Sequence, residues 1–252
     1  MKVSPMLSKQ LSLGSLIAAL LVVWLHTSSE PASKGGMGWW AYELIEYGLC
    51  PLGVPFFFVV SGLFVGIRTN GENWYRTAVG RRVFSVLLPF FLWNVIFALF
   101  CAGLNICANF VAHRSWWQNT VFAPGGTMDF IESLFLRHPF EGVTWYLRSL
   151  FIFVCLSPVL KKVLDVSKGW VLVLFFFLYA LIIPGEVPHE ELWIGKTLGY
   201  FFWGIFSLQG LFYFSAGLFI SCNKIVINRK WCHIIAGGGV YIACCPNSFD
   251  AP

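Results

Sequence analysis

From Leu11 to Leu25 the chain runs fifteen residues without a charge, LSLGSLIAALLVVWL, and then stops on a histidine, His26. A helix rises about 1.5 Å per residue, so this run covers most of the roughly 30 Å hydrocarbon core of a bilayer. Comparable apolar runs, bounded by polar loops, recur at 11–28, 49–67, 83–105, 144–160, 169–185, 198–221 and 231–245. The expected fold is therefore all-α, a polytopic integral membrane helical bundle of about seven transmembrane helices, with residues 1–252 as a single transmembrane domain. Composition agrees: 58% of residues are hydrophobic and 12% charged, against about 45–50% and about 25% in soluble domains.

The net charge of +5 does not point to nucleic acid, because the basic residues fall in alternate loops. The N-terminus carries Lys2 and Lys9, and the next loop Glu30, Lys34, Glu43 and Glu46. Arg68, Glu72, Arg76, Arg81 and Arg82 follow the second run, and the long loop 106–143 holds Arg114, Asp129, Glu132, Arg137 and Glu141. After these come Lys161, Lys162, Asp165 and Lys168, then Glu186, Glu190, Glu191 and Lys196, then Lys224, Arg229 and Lys230. The sign of the net charge alternates at every crossing, as a cytoplasmic N-terminus requires under the positive-inside rule. That orientation puts His26 toward the extracytoplasmic side. A cleaved secretory signal is the poorer reading of the first run, since Trp24 and His26 stand directly before Thr27–Ser29, where cleavage needs small residues.

An ionisable side chain near the edge of the hydrocarbon is expensive to bury, which makes His26 a candidate for function, with a snorkelling histidine as the plain alternative. In the second run Gly62 and Gly66 form a small-xxx-small pair that lets two helices approach closely in lipid, and Ser61 can bond its own preceding turn or a neighbour. Arg68, Arg76, Arg81 and Arg82 precede the third run. Their guanidinium forks suit phosphates, while anchoring against anionic lipid is the simpler account of their spacing. Arg148 lies in the first turn of the fourth run, where a charge needs a partner, a wet cavity or a path to the surface. Eight cysteines show no paired zinc-ligand spacing, so no metal site is expected. His113, His138, Trp116 and Trp117 sit in the 106–143 loop, and His189-Glu190-Glu191 lacks the second histidine of a zinc-protease helix.

Several of these segments make an ordered set. The helix ending in His26, VPFFFVVSGLF at 54–64, Arg81-Arg82 running into LLPFFLW at 87–93, TWYLRSL at 144–150 and FYFSAGLFI at 212–220 follow one another along the chain. Together they resemble the membrane acyltransferase-3 family, the bacterial O-acyltransferases that modify surface glycans. The resemblance implies an acyl-CoA donor, commonly acetyl-CoA, used as substrate rather than bound as a cofactor. The acceptor it implies is a hydroxyl of a glycan or lipid-linked sugar outside the bacterial cytoplasmic membrane. It assigns His26 as the essential histidine and Arg68, Arg81 and Arg82 as the group facing the CoA phosphates, with Ser61, Trp145, Tyr146 and Arg148 in support.

The residues fit such chemistry. A thioester already has a good leaving group, so the difficulty is making a hydroxyl nucleophilic, and an imidazole can take that proton near neutral pH. The family pattern carries an arginine eleven residues before the histidine, and here that position is Ser15. The arginine's role then falls to another group, with Arg148 as the candidate. The family also has about ten spans, so a chain of seven reads as a truncated copy. The alternatives are a catalytically inactive family member and a non-enzymatic membrane carrier or structural protein.

Overall fold

The computed structural model describes residues 5–29, 36–69, 71–112, 145–182 and 207–223, and every element among them is helical. α1 (Pro5–Thr27) opens on a proline, whose missing N–H is no loss at a helix start. It closes where the Ser28 N–H donates to the Trp24 carbonyl at 2.8 Å. The following stretch, expected as loop to residue 48, turns helical earlier. α2 (Met37–Glu43) passes through a π-helical turn (Leu44–Leu49) and a single 3-10 turn (Cys50–Leu52) into α3 (Gly53–Arg68). Met37–Arg68 is thus one apolar helical stretch of 32 residues. The cause of the irregular turns is local: Pro51 and Pro55 lack the N–H that an unbroken α-helix needs.

The basic segment after α3 also departs from the loop that the charges suggest. α4 (Trp74–Arg82) runs through a second π-helical turn (Val83–Leu87), just before Pro89, into α5 (Leu88–Ala112). Arg76, Arg81 and Arg82 are therefore helical residues, and α5 extends seven residues past the expected end at 105. α6 (Trp145–Val166) carries Pro158 inside it, and α7 (Val171–Ile182) follows after a bend of 115°. The bend is built by Lys168 and Gly169, with φ of 50° and 86°, and by the Gly169 N–H donating to the Leu164 carbonyl at 3.0 Å. A glycine suits this left-handed position. α8 (Leu208–Cys222) completes the described residues. By length and composition three helical stretches among the described residues can cross a membrane, or four if the bent α6–α7 pair is one span. The expected span at 231–245, and the start of that at 198–221, lie outside the described residues.

The chain divides into two compact units: Met1–Trp74, Pro158–Leu174 and Gln209–Pro252 form the first, Tyr75–Ser157 and Phe175–Leu208 the second. In the first, α1 runs antiparallel to α3. Gly14 lies against the Phe56 ring, Gly53 against Val22 and the Ala18 carbonyl, and Cys50 against the Leu25 backbone. α3 and α8 run parallel in close contact. Gly62 meets the Phe214 carbonyl and the Leu218 amide, while Gly217 meets the Val59 carbonyl and the Leu63 amide. Each glycine thus sits over the residues three before and one after its counterpart, a local two-fold relation. Gly66 against Ser221 extends the seam. No other side chain fits where two backbones touch, which is the arrangement that small residues permit in lipid. In the second unit Phe90, Phe153, Val154 and Asn94 are fully buried, and Tyr75 Oη donates to the Cys155 carbonyl at 3.1 Å.

Candidate functional site

His26 occupies the last turn of α1 and is exposed. Its neighbours in the chain are held on both sides. Leu25 lies against Cys50, a residue only 1% exposed, and Ser28 Oγ donates to Glu46 Oε2 at 2.7 Å. Glu46 projects from the π-helical turn and is half-buried. The extra residue per turn in a π-helix re-aims side chains, and such turns recur at functional sites. Read along the chain, Glu46 is one of four charges in a loop, and nothing in the linear pattern pairs it with a serine eighteen residues earlier.

Arg68 is the last residue of α3 and is exposed. The eighteen residues from Cys50 to Arg68 rise roughly 27 Å at about 1.5 Å each. Because α1 and α3 are antiparallel, His26 and Arg68 stand at opposite ends of one helix pair. Ser61 lies between those ends, 7% exposed, beside the Gly62 contact with α8.

The remaining candidates belong to the second unit. Arg81 and Arg82 end α4 immediately before its π-helical turn, the first exposed and the second half-buried. Trp145 and Tyr146 open α6 half-buried. Arg148 is 6% exposed, so it does not reach outward to the surface. Ser15, in the position of the family arginine, donates its hydroxyl to the Leu11 carbonyl of its own helix at 2.8 Å and offers no outward donor there. Among the described residues no three His, Cys, Asp or Glu side chains converge as metal ligands do. His113, His138, His189, Trp116 and Trp117 lie outside the described residues.

Long apolar helices, glycine-mediated backbone contacts and charges kept to helix ends define a multi-pass helical membrane protein. The model of one family, the acyltransferase domain Acyl_transf_3, matches residues 13–245, nearly the whole chain. The chain belongs to this acyltransferase-3 family. No curated protein and no solved structure matches it.

Proposed function

We propose that the protein is an O-acyltransferase of the bacterial cytoplasmic membrane. It moves an acyl group, acetyl in the first instance, from cytoplasmic acyl-CoA to a hydroxyl of an extracytoplasmic glycan or lipid-linked sugar. The observation that carries this reading is the placement of His26 and Arg68 at the two ends of the α1–α3 pair, within a chain of this family. A donor whose phosphates and thioester sit at opposite ends of a long arm suits residues so separated.

In this reading Arg68 holds the CoA phosphates through paired N–H donors. The acceptor oxygen attacks the thioester carbonyl carbon while its proton passes to the His26 imidazole. The tetrahedral adduct collapses as the C–S bond breaks, and the departing CoA thiolate takes the proton back from the imidazolium. The products are an ester and free CoA.

General-base assistance contributes about 10²–10⁴-fold in rate. His26→Ala is therefore expected to lower acetylation by at least about 10²-fold, measured by mass spectrometry of glycans from an expressing host at equal protein level. Unchanged acetylation in that variant overturns the reading. The Ser15–Leu11 bond favours a second one, an inactive family member, for which the unaltered chain also gives no acetylation above an empty-vector control.

A further inference from the structure

We propose that Glu46 is the positioning residue of His26, acting through Ser28; the inference deepens the acyltransfer reading and rests on it. A general base has to be held closely, since a displacement of about 1 Å can lower a rate about 10²-fold. His26 is poorly situated for that by its helix alone, because it lies in the final turn of α1, where helices fray. Chain contacts on both sides of it compensate. On one side Leu25 rests on the buried Cys50, and Gly53 admits Val22 one turn below. On the other side the only side-chain bond reaching across from α1 in the described residues near His26 is that from Ser28 Oγ to Glu46 Oε2, at 2.7 Å. Thr27, between the two, turns its hydroxyl back to the Val23 carbonyl at 2.8 Å and so tightens the same turn.

The acceptor is itself placed by an irregularity. The π-helical turn Leu44–Leu49 precedes Pro51, and its re-aimed side chains include Glu46. Carboxylate, serine and histidine turn are thus joined by one bond, while the histidine ring stays exposed to meet an acceptor.

The test uses the full chain in membranes, with acetyl-CoA as donor and two independent readouts. The first is kcat and KM for acetyl transfer in Glu46→Ala, Ser28→Ala and Glu46→Gln. Gln keeps an acceptor oxygen for Ser28, so E46A and S28A are expected to lose about 10–100-fold in kcat with KM for acetyl-CoA unchanged, while E46Q stays within about 3-fold of the parent. The E46A/S28A double variant should be no slower than either single one, since both remove the same bond. The second readout needs no activity: the rate of carbethoxylation of the His26 ring by diethylpyrocarbonate, followed by peptide mass spectrometry. It should change in E46A and S28A and be preserved in E46Q.

Full activity in E46A, with H26A inactive, overturns the proposal and leaves the acyltransfer reading intact. Full activity in H26A overturns the reading and this role together. Loss in E46Q equal to that in E46A also overturns it, because the charge and not the bond is then what matters. If E46A fails to fold by size-exclusion chromatography, S28A and E46Q decide alone, and an unchanged carbethoxylation rate in S28A is sufficient to reject the role.

Discussion

α1 and α3 are built from similar apolar residues and meet opposite fates. In α3 eleven of sixteen residues are buried; among the described side chains of α1 only Leu11 and Ala18 are, while Leu13, Leu16, Leu20 and Val23 are more than half exposed. Hydrophobicity does not separate them, because lipid tails welcome either face and supply no drive to bring helices together. The difference is in the glycines. α3 presents Gly53, Gly62 and Gly66, and each stands where another helix's atoms come within reach of a Cβ. α1 has one glycine, Gly14, which faces an aromatic ring; its other small residues are serines and alanines, and leucine, isoleucine and valine make up most of the rest. Apolar length places a helix in the membrane, and glycine spacing decides how closely other helices of its unit can pack on it.

The largest effect is expected where one methyl group is added to the α3–α8 seam. In Gly62→Ala the new Cβ falls on the Phe214 carbonyl, and in Gly217→Ala on the Val59 carbonyl, with backbone on both sides and no side chain able to move away. Overpacking of this kind destabilises by about 3 kcal/mol or more. Each variant should lose most of its monodisperse fraction after heating in detergent, read by fluorescence-detected size exclusion. The local two-fold relation adds a constraint: the two alanine variants should be equally harmful. A G62A protein as heat-resistant as its parent would mean that the two helices do not touch in this way.

Truncation of a large side chain has an effect of comparable size in α3 and almost none in α1. Phe58 is 1% exposed and Leu20 is 60% exposed. Phe58→Ala empties packed volume and is expected to destabilise by about 3–5 kcal/mol, whereas Leu20→Ala stays within about 0.5 kcal/mol. The same heating assay reads both. Comparable losses in the two would show that the Leu20 face of α1 is covered by protein in the membrane.

Much of this architecture was open to the sequence. The apolar runs located α1, α3, α5 and α6, because exclusion of the backbone from lipid forces continuous helices wherever a run is long enough. Gly62 and Gly66 announced a close contact, yet their partner helix α8 could not be identified, since spacing within one helix says nothing of which other helix it meets. Element ends were harder. Charges suggested loops at 29–48 and 68–82, whereas Met37–Glu43 and Trp74–Arg82 are helical, because polar residues at a membrane surface can continue a helix as easily as end it. Arg148 illustrates the limit for the site. Its position in the chain allowed a path to the surface, and only packing shows it enclosed at 6% exposure. Glu46 was hidden for the opposite reason, its meaning lying wholly in a bond to a residue on another helix.

The smallest effect tests the comparison from the other side. Gly80 lies within α4, is exposed, and has nothing within 4 Å of where a Cβ would stand. A glycine with no close neighbour gives a helix nothing, and it carries the entropy of a freer unfolded chain, a penalty of about 0.5–1 kcal/mol relative to alanine. Gly80→Ala should therefore stabilise the protein, raising its thermal midpoint by about 2 °C by the usual scaling for a chain of this size. The same atom is added in G62A and G80A, so helix propensity favours both equally, and the sign of the result reports only what lies across from the glycine. A fall in the midpoint of G80A would place another surface against α4 and make Gly80 a contact of the same kind as Gly62.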